Sequence, residues 1–318
     1  MNWGIIGYGE IAPSFIEGLF AVEGQRLIGI ASKHAQLKEQ NIYSLTTFYS
    51  SYEELLANPE IDIVYISTTN NLHKENVLLA LRHGKHVLCE KPMGMSVMDE
   101  KEMIAEAQKQ NKFLMEGMWT RFLPAYKHFK TLLADNAIGH INFVKIDFGF
   151  FSNWPDERRL KNPDLYGGVI LDNTDYNIFL CQEIFKDKPS KIAAIARYYK
   201  TGVEDMCAIT LQYQNGSIAQ LFSSFQQKTN HDAIIYGDKG HIVLKSFWNG
   251  THIELQTDEG LQAWDFPFRK NGFEYEIEEV VHCVGNGHIE SDVISHKLSL
   301  DIAEIMDEVI KQIKKELK

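Results

Sequence analysis

Over residues 1–121, short apolar runs alternate with stretches in which apolar residues recur at helical spacing. Residues 3–6, 26–31, 61–67, 86–89 and 113–116 predict strands, and residues 12–20, 52–56, 74–83 and 98–110 predict helices. Strands separated by helices pair in parallel, with helices on both faces of the sheet. After Phe122 the rhythm changes to long alternating runs separated only by turns. Residues 141–151, 191–199, 206–214, 217–225, 232–236, 241–247 and 252–257 predict a largely antiparallel sheet. Asn215-Gly216 is a hairpin signal, and Asp238-Lys239-Gly240 a looser one. A helix is expected to start near Gly168. A last amphipathic helix over 299–317 gathers Leu300, Ile302, Ile305, Met306, Val309, Ile310 and Ile313 mostly on one face.

The pattern therefore predicts an α/β chain of two parts, residues 1–121 with a parallel sheet and residues 122–318 with a large, open, mostly antiparallel one. No flexible linker separates them, so the halves are expected to share an interface and a cleft. The second sheet carries apolar residues in both alternating sets: Val144, Ile146, Phe148 and Phe150 oppose Ile141 and Phe143, and Leu221 and Phe225 oppose Phe222. Such a face predicts a homodimer formed sheet against sheet.

Composition narrows the class of partner. With 32 basic and 43 acidic residues the net charge is −11, which argues against a broad nucleic-acid or anionic-membrane surface. No run approaches the roughly 20 apolar residues of a membrane span, and the N-terminus enters strand sequence without a leader pattern, so a cytoplasmic protein is expected. Cys89, Cys181, Cys207 and Cys283 form no C-x-x-C pair and read as reduced thiols. The histidines show no metal-ligand spacing, so no metal is expected.

Gly7-Tyr8-Gly9-Glu10-Ile11-Ala12 follows the first strand and opens the first helix. In a dinucleotide-binding turn Gly7 allows the tight bend, Gly9 lets backbone approach a pyrophosphate, and small Ala12 lets the helix lie close to the sheet. The free N–H groups and dipole of the helix start favour the diphosphate. At the end of the second strand, Ser32 and Lys33 stand where an acid would bind the ribose 2′-OH of NAD. A hydroxyl and a cation there suit the 2′-phosphate of NADP, so NADP is expected over NAD. Thr68, Thr69 and Asn70 follow the third predicted strand and can line the cofactor, with His73 opening the next helix; for Thr69 a helix cap is the preferred reading. Glu90-Lys91-Pro92 follows the fourth, which places a lysine amine at the ligand end of the sheet on a turn stiffened by proline.

These stretches, with Gly84-Lys85-His86-Val87-Leu88-Cys89 before Glu90, resemble the Gfo/Idh/MocA family of NAD(P)-dependent oxidoreductases. Glu116-Gly117-Met118-Trp119-Thr120-Arg121-Phe122-Leu123-Pro124, Gly167-Gly168 before Asp172, and Glu290-Ser291 extend the resemblance over nearly the whole chain. They are similar to the branch that contains dimeric dihydrodiol dehydrogenases and NADP-dependent D-xylose dehydrogenases. The resemblance implies a Rossmann domain, a C-terminal domain with an open sheet, frequent dimers through that sheet, and a catalytic Lys91. Asp172 and Tyr176 are four apart on the helix expected near Gly168, so they share one face, and the resemblance aligns them with a family Asp followed four residues later by His or Tyr. Free tyrosine titrates near pH 10, so proton exchange near neutrality needs a nearby cation. The implied mechanism has Tyr176 exchange the hydroxyl proton, Lys91 hold the oxygen and tune Tyr176, and Asp172 orient the hydroxyls of a sugar, sugar derivative or vicinal diol. Trp119, Arg121 and Arg159 are further candidates for substrate contact.

Three departures bear on the substrate: Asn173-Thr174-Asp175 adds bulk and charge where the family has glycine, Thr69 replaces a proline, and Tyr166 stands where a third glycine often precedes Gly167-Gly168. Tyr126 and Lys130 match the Y-x-x-x-K pair of short-chain dehydrogenases, which chance alone would supply. Two rival readings are a cofactor-binding regulator that lost its chemistry and a reductase of an imine or linear-tetrapyrrole-type substrate.

Overall fold

A computed structural model describes residues 1–33 and 45–316. Six parallel strands, β1 (Asn2–Ile6), β2 (Arg26–Ala31), β3 (Thr47–Tyr49), β4 (Ile63–Ile66), β5 (His86–Glu90) and β6 (Leu114–Gly117), form one sheet in the order β3-β2-β1-β4-β5-β6. The helices between them are α1 (Ala12–Phe20), α2 (Tyr52–Leu56), α3 (His73–Arg82) and α4 (Val97–Gln110). This is the doubly wound order, with its ligand crevice where the order reverses between β1 and β4. Ser51 and Ser96 cap α2 and α4 by accepting the backbone N–H of Glu54 and Asp99. β3 was not predicted, because three residues carry too little alternation to read. Strand β4 is shorter than expected: Ser67 leaves the sheet and its hydroxyl donates to the Gly7 carbonyl at 3.0 Å.

The second sheet has eight strands, β7 (Ile141–Gly149), β8 (Lys191–Tyr198), β9 (Glu204–Gln212), β10 (Ile218–Ser224), β11 (Ala233–Gly237), β12 (Gly240–Lys245), β13 (His252–Thr257) and β14 (Gly260–Asp265). Their order is β14-β13-β12-β11-β7-β10-β9-β8, and the central β7–β10 pair is parallel while the other neighbours are antiparallel. Helices α5 (Pro124–Ala134) and α6 (Asp175–Phe185) belong to the same unit. β14 and α5 were not predicted. The helix expected near Gly168 begins instead as a π-turn over Ile170–Thr174 that runs into α6.

The chain packs as two compact units. One unit comprises Met1–Trp119 with Arg269–Leu300, and the other Thr120–Phe268 with Asp301–Lys318. The returning segment contains α7 (Phe273–Gly285), which the sequence reading also missed, and the start of α8 (His296–Glu316). Leu317, assigned to the last helix, lies outside the described residues. The reason for the return is apolar. Phe15 of α1 is wholly buried, stacks on Tyr65 with ring centroids 3.6 Å apart, and meets Phe273 edge-on at 5.9 Å. Trp3 closes the same cluster at 5.6 Å from Phe15. Phe15→Ala should therefore destabilise the first unit by about 3–5 kcal/mol in denaturant titration, as deletion of a buried ring does. A loss below about 1 kcal/mol would show that the cluster does not hold α7 in place.

Candidate functional site

The register of the parallel sheet brings the carboxyl ends of its strands together. Ile6 pairs with Ile66, Ile66 with Cys89 and Cys89 with Glu116, so Gly7, Ser67 and Glu90 leave or end their strands side by side. Gly7 has φ of +90°, and a Cβ there would lie 2.9 Å from the Ser67 backbone. Conformation and space both require glycine at that turn. Gly9 differs, because the nearest protein atom to a Cβ would be 3.7 Å away. Protein packing therefore does not explain Gly9, whose open side leaves room for a close external group. Ala12 is fully buried under α1, whose Ile11 cap offers no side-chain acceptor, so the first-turn N–H groups keep their potential for an anion. Glu10 and Ile11 are exposed beside them. These features fit a dinucleotide.

Around that turn the other predicted residues take defined places. Ser32 is half-buried, and the exposed Lys33 places its Nζ 5.9 Å from the Tyr52 ring centroid; His34 lies outside the described residues. Thr68 accepts a hydrogen bond from Asn76 Nδ2 at 3.2 Å, and Asn70 is buried in a short 3₁₀ turn. Thr69 precedes that turn but makes no side-chain cap bond; its carbonyl accepts the Leu72 N–H instead. His73 is buried, with Nδ1 2.9 Å from the Pro92 carbonyl and Nε2 3.1 Å from the Thr68 carbonyl. It thus braces the loop after β4 against the turn that carries Lys91. Glu90 accepts the Tyr65 hydroxyl, and Lys91 is half-buried at the end of β5. Within the same motif Lys85 is structural, donating to the Asn58 and Ile61 carbonyls at 2.7 and 2.9 Å. Burial pushes the neighbouring His86 imidazole down to about 4.

In the second unit the π-turn fixes the other predicted group. Asn173 donates to the Phe148 carbonyl at 3.0 Å, Thr174 to Ser223 Oγ at 2.9 Å, and Asn177 to the same Oγ at 2.9 Å. The departures at 173 and 174 are therefore anchors to β7 and β10, and both side chains are buried. A Cβ on Gly167 would lie 2.5 Å from the Arg159 carbonyl, so glycine lets the 159–160 backbone pass close by. Arg159 then donates to Asp172 Oδ1 at 2.7 Å, a charge-assisted pair. Tyr166 is exposed with φ of +53°. Tyr176 is 6% exposed, and its ring centroid lies 5.8 Å from that of Phe148 and 6.1 Å from that of Trp248. Phe148 and Trp248 stack at 5.3 Å, and His231 accepts the Trp248 indole N–H at 3.4 Å while its Nε2 faces the Gly149 carbonyl at 2.7 Å. Sequence reasoning missed this aromatic wall, because Trp248 lies in a turn and Phe148 shares its face with ordinary core residues.

Two of the substrate candidates are already engaged. Arg121 is ion-paired with Glu183 at 2.6 Å, which also holds Lys130 at 3.0 Å. Trp119 stacks on Phe273 at 4.7 Å and 18°. Tyr126, the tyrosine of the discounted Y-x-x-x-K pair, is buried with its hydroxyl pushed well up by desolvation, unfit for proton exchange.

A doubly wound sheet with a glycine turn made for a dinucleotide, followed by a strand-end lysine, defines the class of nicotinamide-dependent oxidoreductases. Residues 1–118 match the oxidoreductase family with an NAD-binding Rossmann fold, and residues 126–243 match the GFO/IDH/MocA C-terminal domain. The chain is 33% identical to trans-1,2-dihydrobenzene-1,2-diol dehydrogenase of Xenopus laevis, covering 98% of each chain, and 32% identical to that of Homo sapiens, covering 98% of this chain and 97% of the other. Its fold superposes with a TM-score of 0.89 and 26% identity on aldose-aldose oxidoreductase from Caulobacter crescentus complexed with glycerol, over 99% of this chain and 98% of that one. A 3-ketoreductase from Actinomadura kijaniata shares the fold at a TM-score of 0.88 and 22% identity over 98% and 97% of the two chains. The chain belongs to the Gfo/Idh/MocA family and is an NAD(P)-binding oxidoreductase.

The contrast between the two turn glycines is testable. Gly7→Ala should cost about 2 kcal/mol or more through a left-handed alanine and its clash with Ser67, and Gly9→Ala under about 0.5 kcal/mol, in parallel denaturant titrations of the free protein. Equal losses would contradict the assignment of Gly7 to the fold and Gly9 to an external group.

Proposed function

We propose that the protein is an NADP-dependent dehydrogenase or reductase acting on a CH–OH group of a sugar, sugar derivative or vicinal diol. The observation that carries this reading is the set of groups around Tyr176: a hydroxyl on a nearly buried ring, an aromatic wall of Phe148 and Trp248, and Asp172 held by Arg159 four residues earlier. An aromatic face packs against the apolar side of a ring, and a carboxylate accepts hydrogen bonds from its hydroxyls. The names of the relatives at 33% and 26% identity, a diol dehydrogenase and an aldose oxidoreductase, support the same substrate class.

Gly7, Gly9, Glu10, Ile11 and Ala12 would hold the pyrophosphate end of the cofactor, Ser32 and Lys33 its 2′-phosphate, and Thr68, Asn70, His73 and Glu90 the walls of its crevice. Bound NADP supplies a hydride acceptor or donor at nicotinamide C4. Lys91 binds the substrate oxygen as a cation, Tyr176 exchanges the hydroxyl proton, and Asp172 orients neighbouring hydroxyls. Trp119 and Arg121 shape the site through their ring stack and ion pair, while Arg159 fixes Asp172. The four buried thiols accord with a reducing cytoplasm.

The outward face of the second sheet supports a homodimer. Ile218, Phe143 and Tyr236 lie in one cross-strand row, and Ile195 is 67% exposed on edge strand β8. Such a row suits an isologous contact in which two copies bury the same patch.

A panel of aldoses, anhydro-sugars and vicinal diols, read by nicotinamide absorbance with NADP and NAD, should give turnover with kcat/KM favouring NADP. Tyr176→Phe should lower kcat by about 100-fold or more, the usual share of proton transfer, while NADPH affinity by fluorescence holds. Turnover unchanged in Tyr176→Phe removes this tyrosine from the chemistry; tight cofactor binding with no turnover across the panel favours the regulator, and a tenfold preference for NAD overturns the cofactor assignment. Light scattering should report a dimer, and Ile195→Glu should shift it toward monomer; a monomeric wild type at micromolar concentration rejects the sheet contact.

A further inference from the structure

We infer that Glu116 is the positioning residue for Lys91: its buried, ionised carboxylate pins the backbone of the turn that follows the lysine. The inference rests on the reading of Lys91 as the group that binds the substrate oxygen. Glu116 is on β6 and only 3% exposed. One carboxylate oxygen accepts the backbone N–H of Met93, two residues beyond Lys91, at 2.9 Å. The other accepts the Ser299 hydroxyl at 2.6 Å, from α8 and 183 positions away in sequence. His73 holds the carbonyl of Pro92, the residue between Lys91 and Met93, with its Nδ1 at 2.9 Å. Lys91 is thus followed by a backbone gripped at consecutive residues, which limits where its amine can reach.

The two donors of Glu116 are both neutral, and a carboxylate in an apolar interior needs more than that. Burial lifts its carboxyl above the ordinary range, while the Ser299 hydroxyl, the Met93 N–H and the Lys91 ammonium oppose the shift. Among the groups packed around it, Lys91 is the cation whose charge acts on Glu116; the other titratable neighbours are acids, thiol or imidazole. These are Cys89 and Glu90 on β5 and Glu100 on α4; on α7 the buried Glu276, pushed up by burial, is under the charge of Glu90. From α8, His296 directs Nε2 at the Leu114 carbonyl, 2.9 Å away, with Glu290 3.7 Å from its Nδ1. The active state has Glu116 ionised, and protonation of that carboxyl, which burial holds above the ordinary range, bounds activity on the acid side.

The test is the pH profile of kcat for wild type, Glu116→Gln, Ser299→Ala and Lys91→Met. Glutamine removes the titratable carboxyl and its charge-assisted hold on the Met93 N–H, so Glu116→Gln should abolish the acid limb, lower kcat about tenfold, and change the cofactor KM less than about twofold. Ser299→Ala removes a donor to the carboxylate at a distance from Lys91 and should move the acid limb to higher pH; this readout stands if Glu116→Gln does not fold. Limbs that stay in place in both soluble variants, with Lys91→Met inactive, overturn the role of Glu116 alone. Full turnover in Lys91→Met overturns the reading of Lys91 on which the inference rests.

Discussion

The parallel register of four strands is the constraint on which the rest of the first unit depends. Ile6, Ile66, Cys89 and Glu116 stand in one row across the sheet, and each strand delivers its polar groups at or just beyond that row. A slip of one residue in any strand would turn its side chains to the opposite face, because the pleat has a period of two. Gly7 would then lose its approach to Ser67, and Met93 its carboxylate. Runs of buried aliphatic side chains on both faces oppose such a slip, since every strand end is backed by three or four residues that cannot face water. Precision at the polar ends is thus inherited from apolar packing behind them.

Much of this was legible in the chain. The glycine turn, the strand-end lysine and the alternation of elements are short-range patterns with fixed chemical meaning, and the structure places them within a few residues of their predicted positions. What escaped has a common cause. The three-residue strand at Thr47–Tyr49 has too few positions for a period, and α7, which was not predicted, is held by Phe273 packing on Phe15. Asp172 and Tyr176 were read as neighbours on one regular helix face, whereas a π-turn intervenes, held by side chains of Asn173 and Thr174 that reach strands distant in sequence. Long-range partners decide such features, and no local pattern records them. Glu116 was visible only as part of a motif; its two donors come from segments 23 and 183 residues away.

The two units also differ in how they place the predicted site groups. In the first, these groups are on backbone turns and strand ends, fixed by the sheet. In the second, they are side chains on a π-turn and on loops, where Arg159 and Trp248 take their positions from glycine spacing and from a histidine fixed between Gly149 and an indole N–H. A π-turn widens the helix by one residue and is costly to keep, so it persists where its neighbours over-determine it. Here three buried amide and hydroxyl groups do so, tying residues 173–177 to β7 and β10. The cofactor class was therefore readable from sequence, because it is a property of backbone geometry. The groups at the π-turn were not, because their placement emerges only when the second sheet has closed beneath them.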